Sequence, residues 1–472
     1  MARVQIANAR RPEPGETDDP LAERLRVCQM RFASVHSSET QQAGDLREPA
    51  KVAIVNFRGP VPDDLPGRIA TLLDKEWLVD ELFGKPTVAI IVTGGAQAFK
   101  MLPRVERVFR EGLVKAARAT NAWVFTGGTS SGVMKYVGEA LASHPDIPCI
   151  GMPLFGNVLG HELIEKKACS LDEMRDAKEQ MVEYAPTEAD NTLLGAALEP
   201  HHTHFLLLDN GEAGAKAWGM EIEFGLRTQL AYCAHDKNKD NRVPAVLLVV
   251  QGGPGTLKTV VKAVEKGVPV VVIADSGGCA SAIRDFLTRA PGAREDIAAA
   301  ERELAALASE LDAAKSALSA ATAKAETGAK SGGAREQALS ERLAARIAVR
   351  EAKKRVDRAD AILLGLEQKL LKPAELTLGF GKASTVRQLR GIRANERLIE
   401  LFELSQNATA DISQSILSAV ALDEKLPPHK MLELAIVWNN LQMIGSILAG
   451  GRGRALHGLS LIHISEPTRR TP

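Results

Sequence analysis

Short, nearly continuous runs of Val, Ile, Leu and other apolar residues recur along the first 288 residues of the chain. Such runs are typical of strands that are buried on both faces of a sheet. Segments with helical spacing lie between most of them, at 105–119, 133–141, 221–231 and 257–266. This alternation predicts an α/β fold with a doubly wound parallel sheet, with ligands at the carboxyl ends of the strands. The predicted strands cover residues 51–57, 87–93, 122–126, 147–152, 204–209, 245–250 and 268–275.

A heptad pattern replaces this alternation after residue 288 and a short predicted helix at 280–287. Steps of three and four residues between apolar side chains are the pattern of a coiled-coil seam. A Gly- and Ser-containing break at 327–333 divides the pattern, so we predict an antiparallel helical hairpin over 289–372. Its role is open between an oligomerisation or lever arm and an inserted spacer. The predicted seam positions are Ile297, Ala300, Leu304, Leu307, Leu311, Ala314, Leu318, Ala321, Ala345, Val349, Ala352, Val356, Ala359, Leu363, Leu366 and Leu370.

A third pattern follows Pro373, where segments 395–404, 413–422 and 432–448 have the spacing of short amphipathic helices. Helix pairs that cannot bury their apolar faces alone are typical of repeat proteins. Residues 373–458 are therefore predicted to be the start of an α-solenoid.

Both ends of the chain differ from the part between them. Residues 1–50 carry many charges and no apolar core, which predicts a largely disordered segment. Residues 459–472 closely resemble the translation of a transposon adaptor used to prepare sequencing libraries, so we exclude them from reasoning about the fold. We therefore expect the natural reading frame to continue beyond residue 458 into transmembrane segments.

Overall composition excludes several classes of partner. The chain has 59 Lys and Arg against 59 Asp and Glu, which gives no electrostatic argument for nucleic acid or an acidic membrane. Its five cysteines are scattered without a CxxC motif and indicate reduced thiols. No run approaches the ~18–20 uninterrupted apolar residues of a membrane-spanning helix. We expect this piece of chain to be soluble and cytosolic.

Two glycine-rich turns each follow a predicted strand and precede a predicted helix. The first is GGTSSG at 127–132, and the second is GGPGT at 252–256. In such turns the backbone N–H groups and the helix dipole converge on an anion. The pair predicts a site for a nucleotide or a phosphosugar.

Five motifs together resemble one family. The segment WVFTGGTSSGVMKYVG at 123–138 is similar to the glycine motif near the start of the cytosolic region of melastatin-type transient receptor potential (TRPM) cation channels. The resemblance covers residues 51–288 and 376–449 in the family's order and leaves out the helical hairpin. The other motifs are GMPLFG at 151–156, HTHFLLLDNG at 202–211, EIEFGLR at 221–227 and QGGPGT at 251–256.

The resemblance implies a Rossmann-like SLOG domain at 51–288 in one subunit of a homo-oligomer, which is a tetramer if the protein is a channel. Some family members bind an adenine nucleotide derivative such as ADP-ribose there, and no resident cofactor or metal is implied. Arg227 would supply a bidentate phosphate contact or be a surface arginine, and Asp209 would contact a ribose or only turn the chain. The implied ligand-binding residues are Thr126, Gly127, Gly128, Thr129, Ser130, Gly132, Asp209, Arg227, Gly252, Gly253, Gly255 and Thr256.

Two alternatives to a nucleotide sensor remain. Related SLOG enzymes are phosphoribohydrolases that release a base from a nucleotide with glutamates that follow a PGGxGT motif. Here Lys258 and Thr259 follow the second glycine turn, and the next carboxylate is Glu265. We therefore expect no catalytic residues and a sensor instead of an enzyme. The other alternative is a scaffold that assembles through its helical hairpin and binds no ligand.

Two patterns imitate metal sites and are predicted not to be sites. The HxH spacing of His202 and His204 lacks partner cysteines or carboxylates, which favours a loop-to-strand junction. The segment 236–240 imitates the start of a calcium loop. It lacks the glycine and the glutamate that such a loop needs, with Asn241 and Leu247 in their places.

Overall fold

The computed structural model describes residues 25–33, 48–56, 69, 72–73, 86–96, 99–170, 180–214, 243–288, 294–327, 332–403, 411–423, 426–438 and 441–448. The described strands form one sheet. The strands are β1 (Leu25–Phe32), β2 (Ala50–Asn56), β3 (Ala89–Gly94), β4 (Trp123–Thr126), β5 (Cys149–Gly151), β6 (Cys169–Ser170), β7 (Met181–Tyr184), β8 (His204–Asp209), β9 (Ala245–Val250), β10 (Val270–Ile273) and β11 (Ile399–Phe402).

The sheet has the order β11-β10-β9-β3-β4-β5-β8-β2-β1-β6, and β7 also pairs with β1. All neighbouring strands from β11 to β2 pair in parallel. Ala89 of β3, for example, lies opposite Ala245 of β9 on one side and opposite Trp123 of β4 on the other. Strand β1 pairs antiparallel with β2 and β6, and β7 pairs parallel with β1, so β1 and β7 both run opposite to the other strands. The predicted doubly wound parallel sheet is confirmed, and all seven predicted strands are present.

Helices cover both faces of this sheet. Alternate strand residues point to opposite faces, so Ile90 and Val124 pack in a different core from Ile91 and Phe125. The first core contains α1, α2 and α10, and the second contains α4, α5 and α9. The helices are α1 (Pro103–Ala119), α2 (Gly132–Leu141), α3 (His161–Lys167), α4 (Pro254–Glu265), α5 (Gly278–Thr288), α6 (Arg294–Thr327), α7 (Gly332–Gln368), α8 (Pro373–Thr377), α9 (Ala383–Arg393), α10 (Ile412–Val420), α11 (Pro428–Val437) and α12 (Leu441–Leu448).

The expectation of disorder in residues 1–50 is wrong for Leu25–Phe32, which forms strand β1. Leu25, Val27, Met30 and Phe32 are buried, while Arg31 is exposed. The strand pairs antiparallel with β2, and Val27 lies opposite Ala53. Tertiary pairing thus orders a segment whose composition suggested disorder.

The prediction of a helix at 395–404 is also wrong. Ile399–Phe402 forms β11, which extends the sheet parallel to β10, with Phe402 opposite Ile273. Helix α9 supplies the connection, and its residues Val386, Leu389 and Ile392 are buried in the same core as α4 and α5. The hairpin is therefore an insertion between β10 and β11, and part of the predicted repeat region completes the sheet.

The antiparallel helical hairpin is confirmed as α6 and α7. Salt bridges from Lys324 to Glu341 (2.7 Å) and from Arg355 to Glu310 (2.7 Å) fix the antiparallel register. The predicted seam positions are buried or half-buried throughout both helices. At the base of the hairpin Ile297, Ala300 and Leu363 join the core of the sheet.

The later helices are α10, α11 and α12. Helix α10 packs on α1 and on the sheet through Ile412, Ile416 and Leu417. Whether these helices begin an α-solenoid stays a prediction. Within the described part of the chain, no helix combines the length and the apolar composition that crossing a bilayer requires.

Candidate functional site

Three parallel strands, β9, β3 and β4, end side by side at the carboxyl edge of the sheet. The loop after β3 joins the two glycine turns. The Gly95 N–H donates to Val250 O (3.0 Å), and Val133 N–H in the first turn of α2 donates to Gly95 O (2.8 Å). The Thr256 hydroxyl donates to Gly94 O (3.2 Å). Both predicted turns therefore pack against one short loop.

This edge is also the topological switch point of the sheet. From β3 the chain crosses through α1 to β4 on one side, and from β9 it crosses through α4 to β10 on the other side. Helices α1 and α4 belong to different cores, so they cover opposite faces. In open α/β sheets the crevice at such a point is where ligands bind.

The first glycine turn is held from within the protein. Gly128 and Gly132 have φ angles of 74° and 53°, in the left-handed region that favours glycine. The Gly128 N–H donates to Thr126 Oγ1 (2.8 Å), and Ser130 N–H donates to Ala197 O (2.7 Å). These two amides are therefore engaged by the fold, which differs from the expected phosphate cradle.

The buried carboxylate of Glu199 supports the first glycine turn through hydrogen bonds. Glu199 is 1 % exposed and accepts hydrogen bonds from His201 Nδ1 (2.7 Å) and His202 Nδ1 (2.8 Å). Burial acts to raise the pKa of Glu199, but the two histidine hydrogen bonds hold that pKa below its ordinary value. His202 Nε2 lies 2.7 Å from Thr126 Oγ1, so a chain of hydrogen bonds runs from Glu199 to the first turn.

The second glycine turn is more open. Gln251 and Gly252 have φ angles of 57° and 88°, and Gly253 is the N-cap of α4. Gly253 and Gly255 are exposed, and a Cβ at either position would meet nothing within 4 Å. The first turn of α4 thus presents its amide end to solvent, and an anion site at this turn stays a prediction.

A cavity of about 740 Å³ lies beside the first turn, between the loop at 99–101, helix α2 and the loop at 188–193. Helix α2 contributes adjacent turns to it, since residues four apart lie on one helix face. The cavity is lined by Phe99, Lys100, Met101, Ser131, Gly132, Lys135, Tyr136, Glu188, Asn191, Thr192 and Leu193.

Lys135 is the central charge of this cavity. Its Nζ lies 2.5 Å from Glu188 Oε2 and 3.8 Å from Glu139 Oε1. The hydrogen bond to Glu188 is the largest effect on the pKa of Lys135 and raises it, so the ammonium group stays charged. Lys135 therefore links helix α2 to the 188–193 loop across the cavity.

An aromatic pair forms another wall of the cavity. Phe99 and Tyr136 meet edge to face, with ring centroids 5.8 Å apart. The Tyr136 hydroxyl accepts a hydrogen bond from the Met101 N–H (3.0 Å), which fixes the loop at 99–101 on α2. The cavity lining thus combines cationic and aromatic side chains.

Asn191 ties the rim of the cavity to the first glycine turn. Its Nδ2 donates to Ser130 O (2.9 Å), and its Oδ1 accepts from the Ala197 N–H (2.7 Å). The start of the same loop is closed by Thr187, whose N–H and hydroxyl both donate to Asp190 Oδ2. The rim is therefore positioned by specific side-chain contacts.

Among the predicted ligand-binding residues that the structure describes, Gly132 lines the cavity. Asp209 ends β8, two strands beyond β4, and its Oδ1 accepts from the Gly211 N–H (3.0 Å), as a turn residue does. Arg227 lies outside the described residues. The other described residues of this set do not line the cavity, and their role stays a prediction. They are Thr126, Gly127, Gly128, Thr129 and Ser130 in the first turn, and Gly252, Gly253, Gly255 and Thr256 in the second.

Sequence reasoning missed most of the cavity lining. Lys135 and Tyr136 stand four residues after Ser131 and Gly132, so helical spacing from the glycine turn could have identified them. Residues 188–193 lie in an irregular loop, and no periodic signal in the sequence marks them.

Within the described part of the chain, no group of three or more His, Cys, Asp or Glu side chains has an arrangement that could hold a metal ion. His202 is bound to Glu199 and Thr126, and His204 is the buried first residue of β8. The calcium-like segment 236–240 lies outside the described residues.

Comparison with known proteins agrees with these motifs. The family described as SLOG in TRPM matches residues 61–307. The chain is 36% identical over 229 residues to transient receptor potential cation channel subfamily M member-like 2 of Nematostella vectensis, covering 46% of this chain and 14% of that protein.

Mammalian channels give similar values. The chain is 34% identical to subfamily M member 2 of Rattus norvegicus, over 46% of this chain and 14% of the relative. It is 32% identical to subfamily M member 1 of Mus musculus, over 48% of this chain and 13% of the relative. The match thus spans about a seventh of each relative's length. Since the family match covers more than half of the residues and is centred on the sheet and its glycine turns, the chain belongs to the SLOG domains of TRPM cation channels.

Proposed function

We propose that this chain is a cytosolic nucleotide-sensing region at the N-terminal end of a TRPM-like cation channel. It would bind an adenine nucleotide derivative of the ADP-ribose type and thereby regulate gating. The observation that carries the proposal is the 740 Å³ cavity beside the first glycine turn, between the loop at 99–101, helix α2 and the loop at 188–193. Its volume lies within the range of roughly 300–1,000 Å³ usual for small-molecule sites.

The cationic side of the cavity suits phosphate groups. Lys100 and Lys135 line it together with the Ser131 hydroxyl. The N-terminus of α2 begins at Gly132, so its dipole adds positive potential at the same place. A phosphate there would share Lys135 with Glu188.

The aromatic side suits a purine base. The ring of Phe99 or Tyr136 offers apolar contact, and Asn191 and Thr192 supply hydrogen-bonding groups on the opposite rim. A ligand that carries both a base and phosphates would use both the aromatic rings and the lysines of the lining. A simple anion would leave the aromatic wall unused.

The carboxylates of the site favour binding of a ligand without its cleavage. Among the residues lining the cavity, Glu188 is the carboxylate, and Lys135 holds it in an ion pair. Cleavage of a glycosidic bond needs carboxylates that stabilise a cation-like transition state and position water. Lys258 and Thr259 stand after the second turn, where related phosphoribohydrolases have glutamates.

Regulation would follow from differential binding. A ligand changes gating only when it binds one arrangement of the subunits more tightly than another. The 188–193 loop and the loop at 99–101 contact the cavity from separate parts of the chain. A ligand between them would stabilise one relative placement of these surface loops.

Calorimetric titration of ADP-ribose into the full chain tests the proposal. Lys135→Met should weaken binding by roughly tenfold or more, since a hydrogen bond to a charged group contributes about 1.5–3 kcal/mol. Lys258→Met is the matched control, because Lys258 is an exposed lysine of α4, and this variant should bind as the wild type does. Loss of binding in Lys258→Met alone would place the ligand at the second glycine turn. No heat in the wild type would refute nucleotide sensing.

The enzyme alternative has its own test. The full chain is incubated with nucleoside monophosphates and ADP-ribose, and free base is measured by chromatography. We expect none above the background of buffer alone. Steady release over many turnovers would establish a phosphoribohydrolase and overturn the sensor.

A further inference from the structure

An exposed apolar stripe runs along helix α7 near the closed end of the hairpin. Leu339, Leu343 and Ile347 follow each other at intervals of four residues and are 50%, 59% and 55% exposed. Residues four apart lie on one helix face. These side chains are separate from the seam with α6, where Ala345 and Val349 are half-buried.

Helix α6 carries a complementary face of small residues. Ala299, Ala306, Ala313 and Ala320 recur every seven residues and are exposed, and Ser309 and Ser316 lie between them. In coiled coils a large side chain of one helix enters a hole between residues of the facing helix. Small residues on α6 would leave holes for Leu and Ile from another helix.

The net charges of the two helices are opposite. Helix α6 contains seven acidic and four basic residues, whereas α7 contains six acidic and eight basic residues. Three exposed arginines (Arg335, Arg346 and Arg350) lie near the apolar stripe. Contact of α7 with α6 is therefore favoured by charge as well as by shape.

Within one hairpin these two faces cannot meet. At about 100° per residue, Leu343 lies about 200° from the seam residue Ala345, and Ala306 lies about 200° from the seam residue Leu304. Each outer face therefore points away from the seam, on opposite edges of the hairpin. The partner must come from another molecule.

We propose that the occupant of the α7 stripe is the α6 face of a second copy of this chain. The contact is head-to-tail, because each copy offers a different face at each edge of its hairpin. The hairpin is then an assembly element, independent of the nucleotide cavity at the sheet edge.

The base of the hairpin is rigid enough to present these faces. Glu367 of α7 is fully buried and accepts hydrogen bonds from Arg390 Nη2 (2.7 Å) and Arg393 Nη2 (2.8 Å) of α9. Arg393 also lies over the Phe286 ring, 5.0 Å from its centroid. The hairpin is thereby fixed on the sheet that carries it.

Sedimentation equilibrium of the full chain tests the proposal. The wild type should associate as its concentration rises. Leu343→Glu removes the α7 face and Ala313→Glu removes the α6 face, so each variant alone should be monomeric. Leu163→Glu is the matched control, since Leu163 is 53% exposed on helix α3, and it should associate like the wild type.

Mixing the two monomeric variants gives the decisive result. Leu343→Glu retains the α6 face and Ala313→Glu retains the α7 face, so their mixture should form a dimer and stop there. Formation of that dimer also shows that both variants are folded. A monomeric wild type, unchanged association of either variant, or a mixture that stays monomeric would overturn the proposal.

Discussion

Gly138 lies against the buried carboxylate of Glu199 so closely that no side chain fits at position 138. A Cβ there would overlap Oε1, Oε2 and Cδ of Glu199. Glu199 cannot easily move away, because His201 and His202 hold its two oxygens. This contact places helix α2, and with it the first glycine turn, against the histidine segment before β8.

Gly138→Ala should therefore destabilise the protein by about 2 kcal/mol or more, the upper part of the range for overpacking a core. The gain in helix propensity from replacing glycine, about 1 kcal/mol, offsets only part of this cost. The measurement is the free energy of unfolding from urea titration of the full chain. Gly365→Ala in α7 is the control, since its Cβ would meet open space, and it should be neutral or stabilising. Equal effects of the two substitutions would contradict the close packing.

His204 should make stability fall in acid. Burial, with a smaller effect of nearby Lys51, lowers the pKa of His204 from 6.5 to about 3. The unfolded chain therefore binds a proton between these values that the folded chain does not bind. The neutral form of His204 therefore contributes fully to the free energy of unfolding above pH 6.5. This contribution falls by up to about 1.4 kcal/mol per pH unit as the pH falls toward 3. In His204→Gln, the free energy of unfolding should fall less steeply between pH 6.5 and 5 than in the wild type. If the free energies of unfolding of the two proteins changed in parallel with pH, His204 would not be buried in its neutral form.

Glu400 in the edge strand β11 should have the opposite dependence. Burial raises the pKa of Glu400 from 4.5 to about 7. The folded chain binds the extra proton here, so stability is present below pH 4.5 and is lost as the pH rises through 7. Glu400→Gln should remove this loss and be most stabilising, relative to the wild type, at pH 7 and above. If Glu400→Gln stabilised the protein most at pH 4.5, the pKa of Glu400 would not be raised in the folded chain.

Removal of the buried carboxylate at the hairpin base should loosen the hairpin. Glu367→Ala leaves Arg390 and Arg393 without their common partner, and breaking a buried ion pair costs about 3–5 kcal/mol. Thermal unfolding of this variant should show a lower midpoint or a separate early transition. Glu351→Ala removes an exposed pair with Lys354 on the same helix and should leave the melting curve unchanged. An unaltered curve for Glu367→Ala would show that the seam alone holds the hairpin.

The sequence predicted the parts of the fold that carry a strong periodic signal. Seven apolar strands and the heptad seam agree with the structure, because burial on both faces and knobs-into-holes packing each require a repeated pattern. Strand β1 was missed although Leu25, Val27, Cys28, Met30 and Phe32 are buried, because the buried positions do not alternate regularly and the neighbouring residues are charged. Four residues at Ile399–Phe402 are too few to show a period, and the open edge of β10 decides their conformation.

The candidate site was less predictable than the fold. The first glycine turn marked the edge of the sheet beside which the cavity lies, but internal hydrogen bonds occupy the Gly128 and Ser130 amides. Asn191 and Glu188 reach the cavity only because a distant loop folds over α2, with Asn191 bound to Ser130 O. Long-range contacts of this kind leave no local pattern in a single sequence.

A structure of the full chain determined with ADP-ribose would show whether this ligand occupies the cavity beside the first glycine turn. We expect phosphates within about 3 Å of Lys135 Nζ, the distance of a charge-assisted hydrogen bond, and the base against Phe99 or Tyr136. Ligand bound instead at the exposed Gly253 and Gly255 end of α4, or a cavity without ligand at saturating concentration, would refute nucleotide binding in this cavity.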